Sequence, residues 1–530
     1  MKKHLMCYSI ILCMLIACIP ATAASSDTAN DPVLQNNLTA ISAQSMIQRM
    51  GNGINMGNTL EPPYEGEWAT AAREYYFDDY KAAGFKHVRI PIRWDNHTSK
   101  HYPYTIDPAF LNRVEQVVDW SLSRGLVTVI NTHHDEWVMD NYSGNIQRLE
   151  MIWKQIAERF KNKSENLVFE VLNEPHGNIL DEEINDMNQR IISIIRPTNP
   201  TRQIIIGAGH WNSWRATIYN LEIPNDPNLI ATFHYYDPYD FTHNSMGTWG
   251  TEADKTTIFR AFEKVKKWSQ KNNNIPVYLG EYGAKVENDY NSRIKWYDYV
   301  SDVAIHNGFA LASWDDEGWF KLYDRNQRTF NHQVLQAIMQ QSTYNWPAPL
   351  PDNPNPNPET PVYSVGTKLV DNFEEGLLWS KYEGNGATVS HFIVNGRNGK
   401  GMEVQFQGKD GGYWGVVNDI NEDWSSWIGL SIDVKSEQRS IFNLVLTEKA
   451  ANSEDGENWK YTIRPNSSGW TTIVIPFNKF TKRVDHQPST EDGNDILNLN
   501  KLKNLQILQN GSNGGKIIID NVKLVGLPQY

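Results

Sequence analysis

Two glutamates in this chain each follow an apolar run, an arrangement that can support acid–base chemistry. Glu174 stands in "LVFEVLNEP", residues 167–175, and Glu281 stands in "PVYLGEYG", residues 276–283. Two carboxyl groups that converge on one site can cleave a glycosidic bond. One protonates the leaving oxygen, and the other attacks the anomeric carbon or activates a water that does. The alternative is that each glutamate is only an acidic residue at the protein surface.

Further polar and aromatic residues stand at or near the ends of similar runs, and each is a candidate to contact a substrate. These are Arg89, His133, His134, Asn173, His234, Tyr236 and Trp314. Taken singly, Arg89 also suits a buried ion pair and Trp314 also suits a core. Five more tryptophans either line the same opening or pack inside the protein: Trp68, Trp137, Trp211, Trp249 and Trp319.

The stretch "HHDE" at residues 133–136 has the composition of a metal-binding cluster. Neighbouring residues on a strand point to opposite faces, and no His-Glu-x-x-His motif follows. No metal site is therefore predicted there, and His134 either touches substrate or packs.

Eight β-rich runs would have to position these side chains. They span residues 53–57, 87–92, 126–134, 167–174, 203–209, 229–236, 276–283 and 309–317. Helical patterns lie between them at residues 71–83, 107–124, 145–162, 182–195, 254–271 and 289–306. Continuous apolar strands are typical of a parallel sheet that is covered on both faces. Eight strand–helix units predict an α/β TIM barrel, (β/α)8, whose strand ends open at one mouth. An open doubly wound sheet is the alternative, but no Gly-x-Gly-x-x-Gly follows the first run.

A proline-rich segment divides the chain. In "NWPAPLPDNPNPNPETPVY", residues 345–363, proline recurs every two or three residues, which predicts an extended spacer. We place the barrel at residues 36–345 and the linker at 346–363. Residues 364–527 contain short alternating runs separated by Gly, Asn, Asp and Ser, and no long helical pattern. This predicts an all-β sandwich of the β-jelly-roll type.

The motifs before the linker resemble glycoside hydrolase family 5, in the clan with glutamates on strands 4 and 7. The resemblance covers about residues 35–345 and rests on motifs in family order, namely "GINMGNTLE", "VRIPIRW", "INTHH", "VLNEP", "HYY", "GEYG" and "ASWDD". It implies that Glu174 is the acid/base and Glu281 the nucleophile. It also implies that Asn173 holds the sugar 2-hydroxyl and that Trp314 is a sugar platform.

The same resemblance implies roles for the groups around the two glutamates. Arg89 would steady the charge of the nucleophile, Tyr236 would hydrogen-bond it, and His133 and His234 would shape the catalytic subsite. Glu174 must stay protonated near neutral pH while Glu281 stays ionised. We expect Arg89 to favour the charged form of one carboxyl, and the negative charge of the other to raise the pKa of the acid.

Residues 366–527 resemble a family 11 carbohydrate-binding module. The motifs are "DNFEEGLLWSKYEG", "NGKGMEV", "GGYWG", "DGENW" and "IDNVKLVG". The resemblance implies sugar-contacting residues, which are Tyr382, Tyr413, Asp455, Arg483 and Asp485. His486 and Gln509 stand where the family pattern has two more tyrosines, which predicts weaker or altered binding. The alternative is a purely structural β domain. Asp371 and Asp520 suggest a structural calcium site, and no cofactor is expected for catalysis.

Composition and the first residues bear on partners and location. A formal net charge of −13 argues against nucleic acid or an anionic membrane as partner. Residues 1–23 resemble a signal peptide, with an apolar run followed by "ATA" at 21–23. The competing interpretation is a lipid anchor on Cys18. All three cysteines precede residue 24, so no disulfide is expected in the remainder. We expect no membrane-spanning segment and a monomer.

Together these features predict a secreted, retaining endo-β-1,4-glucanase that acts on cellulose or mixed-linkage β-glucans, with a β-glucan polysaccharide as its partner. The same machinery acting on β-mannan, xylan or xyloglucan is the nearest alternative, because a fold does not determine a substrate. A non-catalytic polysaccharide-binding surface protein is the alternative of another class.

Overall fold

The structure of the chain, a computed structural model, describes residues 41–348, 364–420, 422–436, 440–450, 455–465, 468–487 and 496–527. The predicted signal peptide with its alternative lipid anchor at Cys18 lies outside these residues, as does most of the predicted linker.

Eight parallel strands close into a barrel, in which each strand pairs with its neighbours in chain order and β1 pairs with β8. Their bounds are β1 (Asn52–Asn55), β2 (His87–Ile90), β3 (Val127–Asn131), β4 (Leu167–Glu170), β5 (Ile204–Ile206), β6 (Leu229–Tyr235), β7 (Val277–Tyr282) and β8 (Ala310–Ser313). The α/β TIM barrel predicted from the eight apolar runs is confirmed.

Helices cover the barrel and fill the connections. They are α1 (Ala43–Met50), α2 (Glu74–Ala83), α3 (Pro108–Ser123), α4 (Glu136–Asp140), α5 (Tyr142–Phe160), α6 (Asp181–Ile195), α7 (Gly209–Asn212), α8 (Trp214–Asn220), α9 (Tyr239–Thr242), α10 (Glu252–Lys271), α11 (Tyr290–His306) and α12 (His332–Met339). The six predicted helices are present. The additional ones are short, so their apolar positions span too few turns to stand out as a pattern.

Helix α1 packs against the interior of the barrel. Its buried residues Met46 and Ile47 belong to one apolar cluster with Val127, Val168 and Ile230 from the strands. These strand residues lie at or near the amino-terminal ends of their strands, so α1 covers that end. The carboxyl-terminal end is the one left for a site, as is general in this fold.

The strands are shorter than the runs that predicted them. Strand β4 ends at Glu170, although the apolar run continues to residue 172. Beyond Glu170 the backbone still bonds to its neighbours, because the Asn173 N–H donates to the Thr132 carbonyl at 2.9 Å. The chain then turns at Glu174, whose φ is +44°. The expected strand end at Asn173 and Glu174 is thus a loop that follows the strand.

After the linker the described residues form antiparallel strands and contain no α-helix, which confirms the predicted all-β domain. A small hairpin, β9 (Tyr323–Asp324) and β10 (Thr329–Phe330), belongs to the barrel part. The strands of the second domain are β11 (Thr367–Asp371), β12 (Ser380–Gly384), β13 (Thr388–Asn395), β14 (Lys400–Asp419), β15 (Gly429–Lys435), β16 (Phe442–Lys449), β17 (Asp455–Ile463), β18 (Trp470–Pro476), β19 (Thr481–Lys482) and β20 (Leu502–Val525).

Two long strands join the layers of this domain. One half of β14 pairs with β13 and its other half pairs with β12. In the same way, one half of β20 pairs with β15 and its other half pairs with β16. Apolar residues such as Trp414, Leu444 and Ile519 form the core of the domain.

No helix in the described part of the chain is both long and apolar enough to cross a lipid bilayer.

Candidate active site

The two glutamates singled out from the sequence lie together at the carboxyl-terminal end of the barrel. Glu281 is part of β7, and Glu174 lies in the loop after β4. Carboxylate oxygens of Glu174 and Glu281 and a ring nitrogen of His234 all lie within 4.8 Å of one another. The side chain of Glu174 is 22% exposed and that of Glu281 is 6% exposed, so water or a ligand reaches Glu174 more easily.

Arg89 of β2 organises the floor of this site. Its guanidinium donates to Glu281 Oε1 at 2.7 Å and to Asn173 Oδ1 at 2.7 Å. It also forms a bidentate pair with Glu170, at 2.6 and 2.8 Å, and donates to Asn55 Oδ1 at 2.9 Å. Both interpretations of Arg89 therefore hold, because the residue is a fully buried ion-pair partner and also contacts the proposed nucleophile.

The second oxygen of Glu281 is held by a tyrosine. The hydroxyl of Tyr236 donates to Glu281 Oε2 at 2.9 Å. Burial raises the pKa of Tyr236 well above its usual value, so this hydroxyl keeps its proton and stays a donor. Burial also raises the pKa of Glu281, and the positive charge of Arg89 opposes that effect. With Arg89 on one oxygen and Tyr236 on the other, both carboxylate oxygens have donors that favour the ionised form.

Glu174 lies in a different environment. Its Oε1 is 2.8 Å from Nδ1 of His234. Burial raises the pKa of Glu174 to about 7, and the charge of Arg89 opposes this. The sequence-based expectation named the charge of Glu281 as the cause, but burial is the largest cause, and the carboxylate that adds to it is Glu170. Burial also lowers the pKa of His234 to about 4, so this imidazole is neutral at the pH at which Glu174 titrates.

His133 and His134 lie on the same side of the site, and the expectation that they point to opposite faces is wrong. His134 has a φ of +55°, which turns its ring to 4.6 Å from that of His133. The ring of His133 is nearly parallel to that of Trp314, at an angle of 14° and a centroid distance of 6.1 Å. Trp314 thus stands at the mouth beside the histidines, half-buried.

Glu61 joins this pair of histidines, and the sequence had not singled it out. Side-chain ligand atoms of Glu61, His133 and His134 lie within 4.8 Å of one another, a grouping that could hold a metal ion. Burial raises the pKa of Glu61 to about 7. The signal that could have found Glu61 is its place at the end of "GINMGNTLE". Glu170 and Asn55, both partners of Arg89, were missed as well, because each is an interior residue of a strand run.

Of the five further tryptophans, two pack against other side chains and three are exposed. Trp249 is buried in the barrel core, and Trp137 packs beneath the Arg148 guanidinium at 4.3 Å. Trp68, Trp211 and Trp319 are exposed. The ring of Trp68 meets the edge of His134 at 5.5 Å, and Trp211 stacks on His176.

In the second domain, four of the five predicted sugar-contacting residues line one cavity. The rings of Tyr382 and Tyr413 are 6.4 Å apart, and Arg483 forms a bidentate pair with Asp485 at 3.0 and 2.8 Å. Burial tends to raise the pKa of Asp485, but the hydrogen bonds and charge of Arg483 outweigh it and hold that pKa well below its usual range. Asp455 is the first residue of β17.

The two residues that depart from the module pattern also line this cavity. His486 is exposed, whereas Gln509 is buried and its Oε1 has no hydrogen-bond partner among the described residues. The carboxylates proposed for calcium accept hydrogen bonds from N–H groups instead. Asp371 accepts from Phe373 N and Trp379 Nε1, and Asp520 accepts from backbone N–H groups. The calcium site stays a prediction.

Comparison with known proteins agrees with this architecture. Residues 49–318 match the model for "Cellulase (glycosyl hydrolase family 5)", and residues 353–527 match "Carbohydrate binding domain (family 11)". Endoglucanase H of Acetivibrio thermocellus is 52% identical over 92% of this chain and 55% of that protein. Endoglucanase B of Ruminococcus albus is 30% identical over 57% of this chain and 86% of that protein.

Solved structures resemble the barrel part. Endoglucanase Cel5A of Thermotoga maritima, also solved in complex with a mannotriose substrate, is 37% identical with a TM-score of 0.55. The match covers 56% of this chain and 100% of that structure. This chain spans about half the length of Endoglucanase H. With a family model matched over half of its length and the paired glutamates in place, the chain belongs to glycosyl hydrolase family 5.

Proposed function

We propose that this chain is a retaining endo-β-1,4-glucanase that hydrolyses internal bonds of cellulose or mixed-linkage β-glucans. The observation that carries the proposal is the pair Glu174 and Glu281, whose carboxylate oxygens lie within 4.8 Å. Retaining enzymes hold their two carboxyls about 5–5.5 Å apart, whereas inverting enzymes leave about 6.5–9.5 Å for a water. The shorter separation favours direct attack by a carboxylate.

In the first step Glu281 attacks the anomeric carbon and forms a glycosyl-enzyme ester. Glu174 gives its proton to the departing oxygen as the glycosidic bond breaks. Burial favours this protonated state, because it raises the pKa of Glu174 to about 7. Arg89 and Tyr236 hold the attacking carboxylate in place until it forms the ester.

In the second step Glu174 acts as a base. Ester formation removes the negative charge of Glu281, and the loss of a neighbouring negative charge favours ionisation of Glu174. The ionised Glu174 takes a proton from a water, the water oxygen attacks the anomeric carbon, and Glu281 departs as a carboxylate. Two inversions give net retention. His234, at 2.8 Å from Glu174, positions this carboxyl in both steps.

The substrate proposal is a β-1,4-glucan. It rests on the relatives named as endoglucanases and on the family 11 carbohydrate-binding match over residues 353–527. β-Mannan is the second candidate, because the similar Cel5A barrel is also known in complex with mannotriose. We further propose that residues 1–23 direct export, with a lipid anchor on Cys18 as the alternative, and that the protein is a monomer.

The stereochemistry of hydrolysis tests the mechanism. Proton NMR of the first-formed product from residues 24–530 is expected to show the β-anomer before mutarotation. Glu281→Ala should be inactive, and added azide should restore release from an activated aryl glycoside with formation of the α-glycosyl azide. An α-anomer as first product would contradict retention.

Comparing polymers tests the substrate. Reducing ends and viscosity are followed with carboxymethyl-cellulose, barley mixed-linkage glucan and β-mannan. Activity on the glucans with a steep early fall in viscosity is expected. Activity mainly on mannan would keep the mechanism and replace the substrate. Glucan binding without new reducing ends would support the non-catalytic binding protein.

A further inference from the structure

A cavity of about 1240 Å³ lies between the barrel and the β domain. One wall comes from the loops and short helices after β4 and β5 and includes His176, Trp211 and Tyr219. The facing wall holds the predicted sugar-contacting residues of the β domain, among them Tyr413, Arg483 and Asp485. The sugar-binding face of the module is therefore turned toward the barrel.

Polar contacts join the two walls around this cavity. Arg464 reaches Glu183 at 3.3 Å, and Lys460 is 3.7 Å from Asp181. Asn513 Nδ2 donates to Asn178 Oδ1 at 3.2 Å. Each contact pairs a residue of the β domain with one that lies just after β4 or in α6.

The barrel wall presents a flat aromatic surface close to the catalytic acid. Trp211 is 55% exposed, and its ring stacks on His176 at 4.8 Å with an angle of 13°. His176 Nδ1 in turn is 2.6 Å from the carbonyl oxygen of Glu174. Across the cavity Tyr413 is 43% exposed. Sugar rings pack their apolar faces on such aromatic surfaces while polar groups bind the hydroxyls.

The turn that carries Trp211 is strained. In α7 the φ values of His210, Trp211 and Asn212 are +53°, +56° and +52°, so the segment is a left-handed turn. Non-glycine residues seldom adopt this conformation, and residues strained in this way cluster at functional sites. His210 Nε2 lies 3.3 Å from Nζ of Lys460, so the β domain contacts the same turn.

We propose that the cavity is a composite binding site in which the barrel and the module hold one β-1,4-glucan chain between them. Trp211, stacked on His176, forms the barrel side, and Tyr413 with the Arg483–Asp485 pair forms the module side. Two ion pairs line the cavity, Arg483–Asp485 and Lys460–Asp181, and side chains held in this way can hydrogen-bond the hydroxyls of a neutral ligand. The volume exceeds the roughly 300–1,000 Å³ of pockets for drug-sized ligands. This proposal rests on the proposed function. In it, the module binds the glucan and directs it toward Glu174.

Oligosaccharide binding tests the site in the whole chain. The background protein is residues 24–530 with two substitutions. Glu281→Gln stops turnover, and Trp314→Ala weakens binding in the catalytic subsite. Isothermal titration with a mixed-linkage glucan hexasaccharide then reports the remaining site. Trp211→Ala and Tyr413→Ala are each expected to weaken that same binding event about tenfold. Tyr102→Ala, an exposed aromatic outside the cavity, should leave it unchanged. If Tyr413→Ala weakens the event and Trp211→Ala does not, the composite site is overturned.

Crosslinking tests the arrangement of the walls. Residues 24–530 contain no cysteine, so Asn178→Cys and Asn513→Cys introduce the only two thiols. A short bismaleimide should join them, and the joined chain should retain oligosaccharide binding. The pair Tyr102→Cys and Asn513→Cys is the control and should stay unjoined. Equal joining of both pairs, or none of the first, would overturn the facing arrangement.

The composite site and the proposed function fail in different ways. If the unaltered chain releases no reducing ends from any polymer, the proposed function fails. If it hydrolyses glucans while Trp211→Ala leaves the remaining binding event intact, only the composite site fails.

Discussion

At the scale of single residues, the site is built on unequal surroundings of two glutamates. Glu281 has donors on both oxygens, from Arg89 and Tyr236, whereas Glu174 contacts the neutral ring of His234. Charged donors favour an ionised carboxyl, and burial without such donors favours a protonated one. These unequal surroundings support the proposed roles of Glu281 as nucleophile and Glu174 as acid.

Activity is expected to fall as the pH rises through about 7. Glu174 must be protonated to act as the acid, and burial raises its pKa to about 7. Above that pH the protonated fraction falls about tenfold per unit, and kcat/KM should follow it. The measurement is kcat/KM on a soluble β-glucan from pH 4 to 9.

Glu174→Gln is the matched control for the fall of kcat/KM at alkaline pH, the alkaline limb of the profile. It should lower the rate on glucans about 10²–10⁴-fold, and less on an aryl glycoside whose leaving group needs no proton. An alkaline limb that persists unchanged in Glu174→Gln would assign the titration to another group.

Removing the Arg89 side chain is expected to destabilise the protein by about 3–5 kcal/mol, because Glu170 and Glu281 would remain buried without a cationic partner. Urea unfolding of Arg89→Ala at pH 7 measures this. Arg49→Ala, which breaks the exposed pair with Glu165, is the control and should cost less than about 1 kcal/mol. Similar losses in the two variants would mean that the buried network contributes little.

At the scale of elements, the loops after the strands carry as much of the site as the strands themselves. Arg89 and Glu281 are held within β2 and β7, but Asn173, Glu174 and His134 lie beyond β4 and β3. Left-handed turns at Glu174 and His134 aim these side chains into the mouth. Such backbone strain is common where a side chain must be positioned for chemistry.

Strand β7 needs a glycine next to its glutamate. A Cβ at Gly280 would lie 2.8 Å from both His234 Nε2 and Thr232 Oγ1, which is too close for a carbon atom. Gly280→Ala is therefore expected to displace His234 from Glu174 and to cost about 1–3 kcal/mol. Thermal unfolding and kcat/KM on glucan are measured together.

Gly469→Ala is the control for this substitution, since a Cβ there would meet no atom within 4 Å. Both stability and kcat/KM should stay near the unaltered values in that variant. A Gly280→Ala protein with unchanged kcat/KM would show that the position of His234 is not needed for turnover.

In the whole molecule, two domains of different construction are proposed to act on one polysaccharide. The barrel supplies two reactive carboxyls, and the β domain supplies aromatic rings and a charge pair in a cavity that faces it. Arg89 lies beside Glu170 and Glu281 in the barrel, and Arg483 lies beside Asp485 in the β domain.

Catalysis is expected to be unaffected by chelators, because both reacting groups are carboxyls. Dialysis against EDTA should leave glucan hydrolysis unchanged. Loss of activity that Zn²⁺ restores would instead indicate a metal ion at one of two groups, Glu61 with His133 and His134 or Glu174 with His234 and Glu281. Thermal unfolding of the same samples tests the calcium prediction, since a fall in Tm that Ca²⁺ reverses would support an ion near Asp371 or Asp520.

The order of the strands and helices, and the identity of the central residues, follow from patterns in the amino-acid sequence. Eight apolar runs predicted the barrel, because strand formation depends on a pattern local to each run, and the motifs around Glu174 and Glu281 predicted the two carboxyl groups that the structure brings together. Which distant residues contact Glu174 and Glu281 became clear from the folded chain alone. Glu170 and Glu61, the direction of His134, burial as the cause of the raised pKa of Glu174, and the cavity shared with the module all depend on contacts between remote segments. No local pattern records such contacts, since burial and distance arise only when the chain has closed on itself.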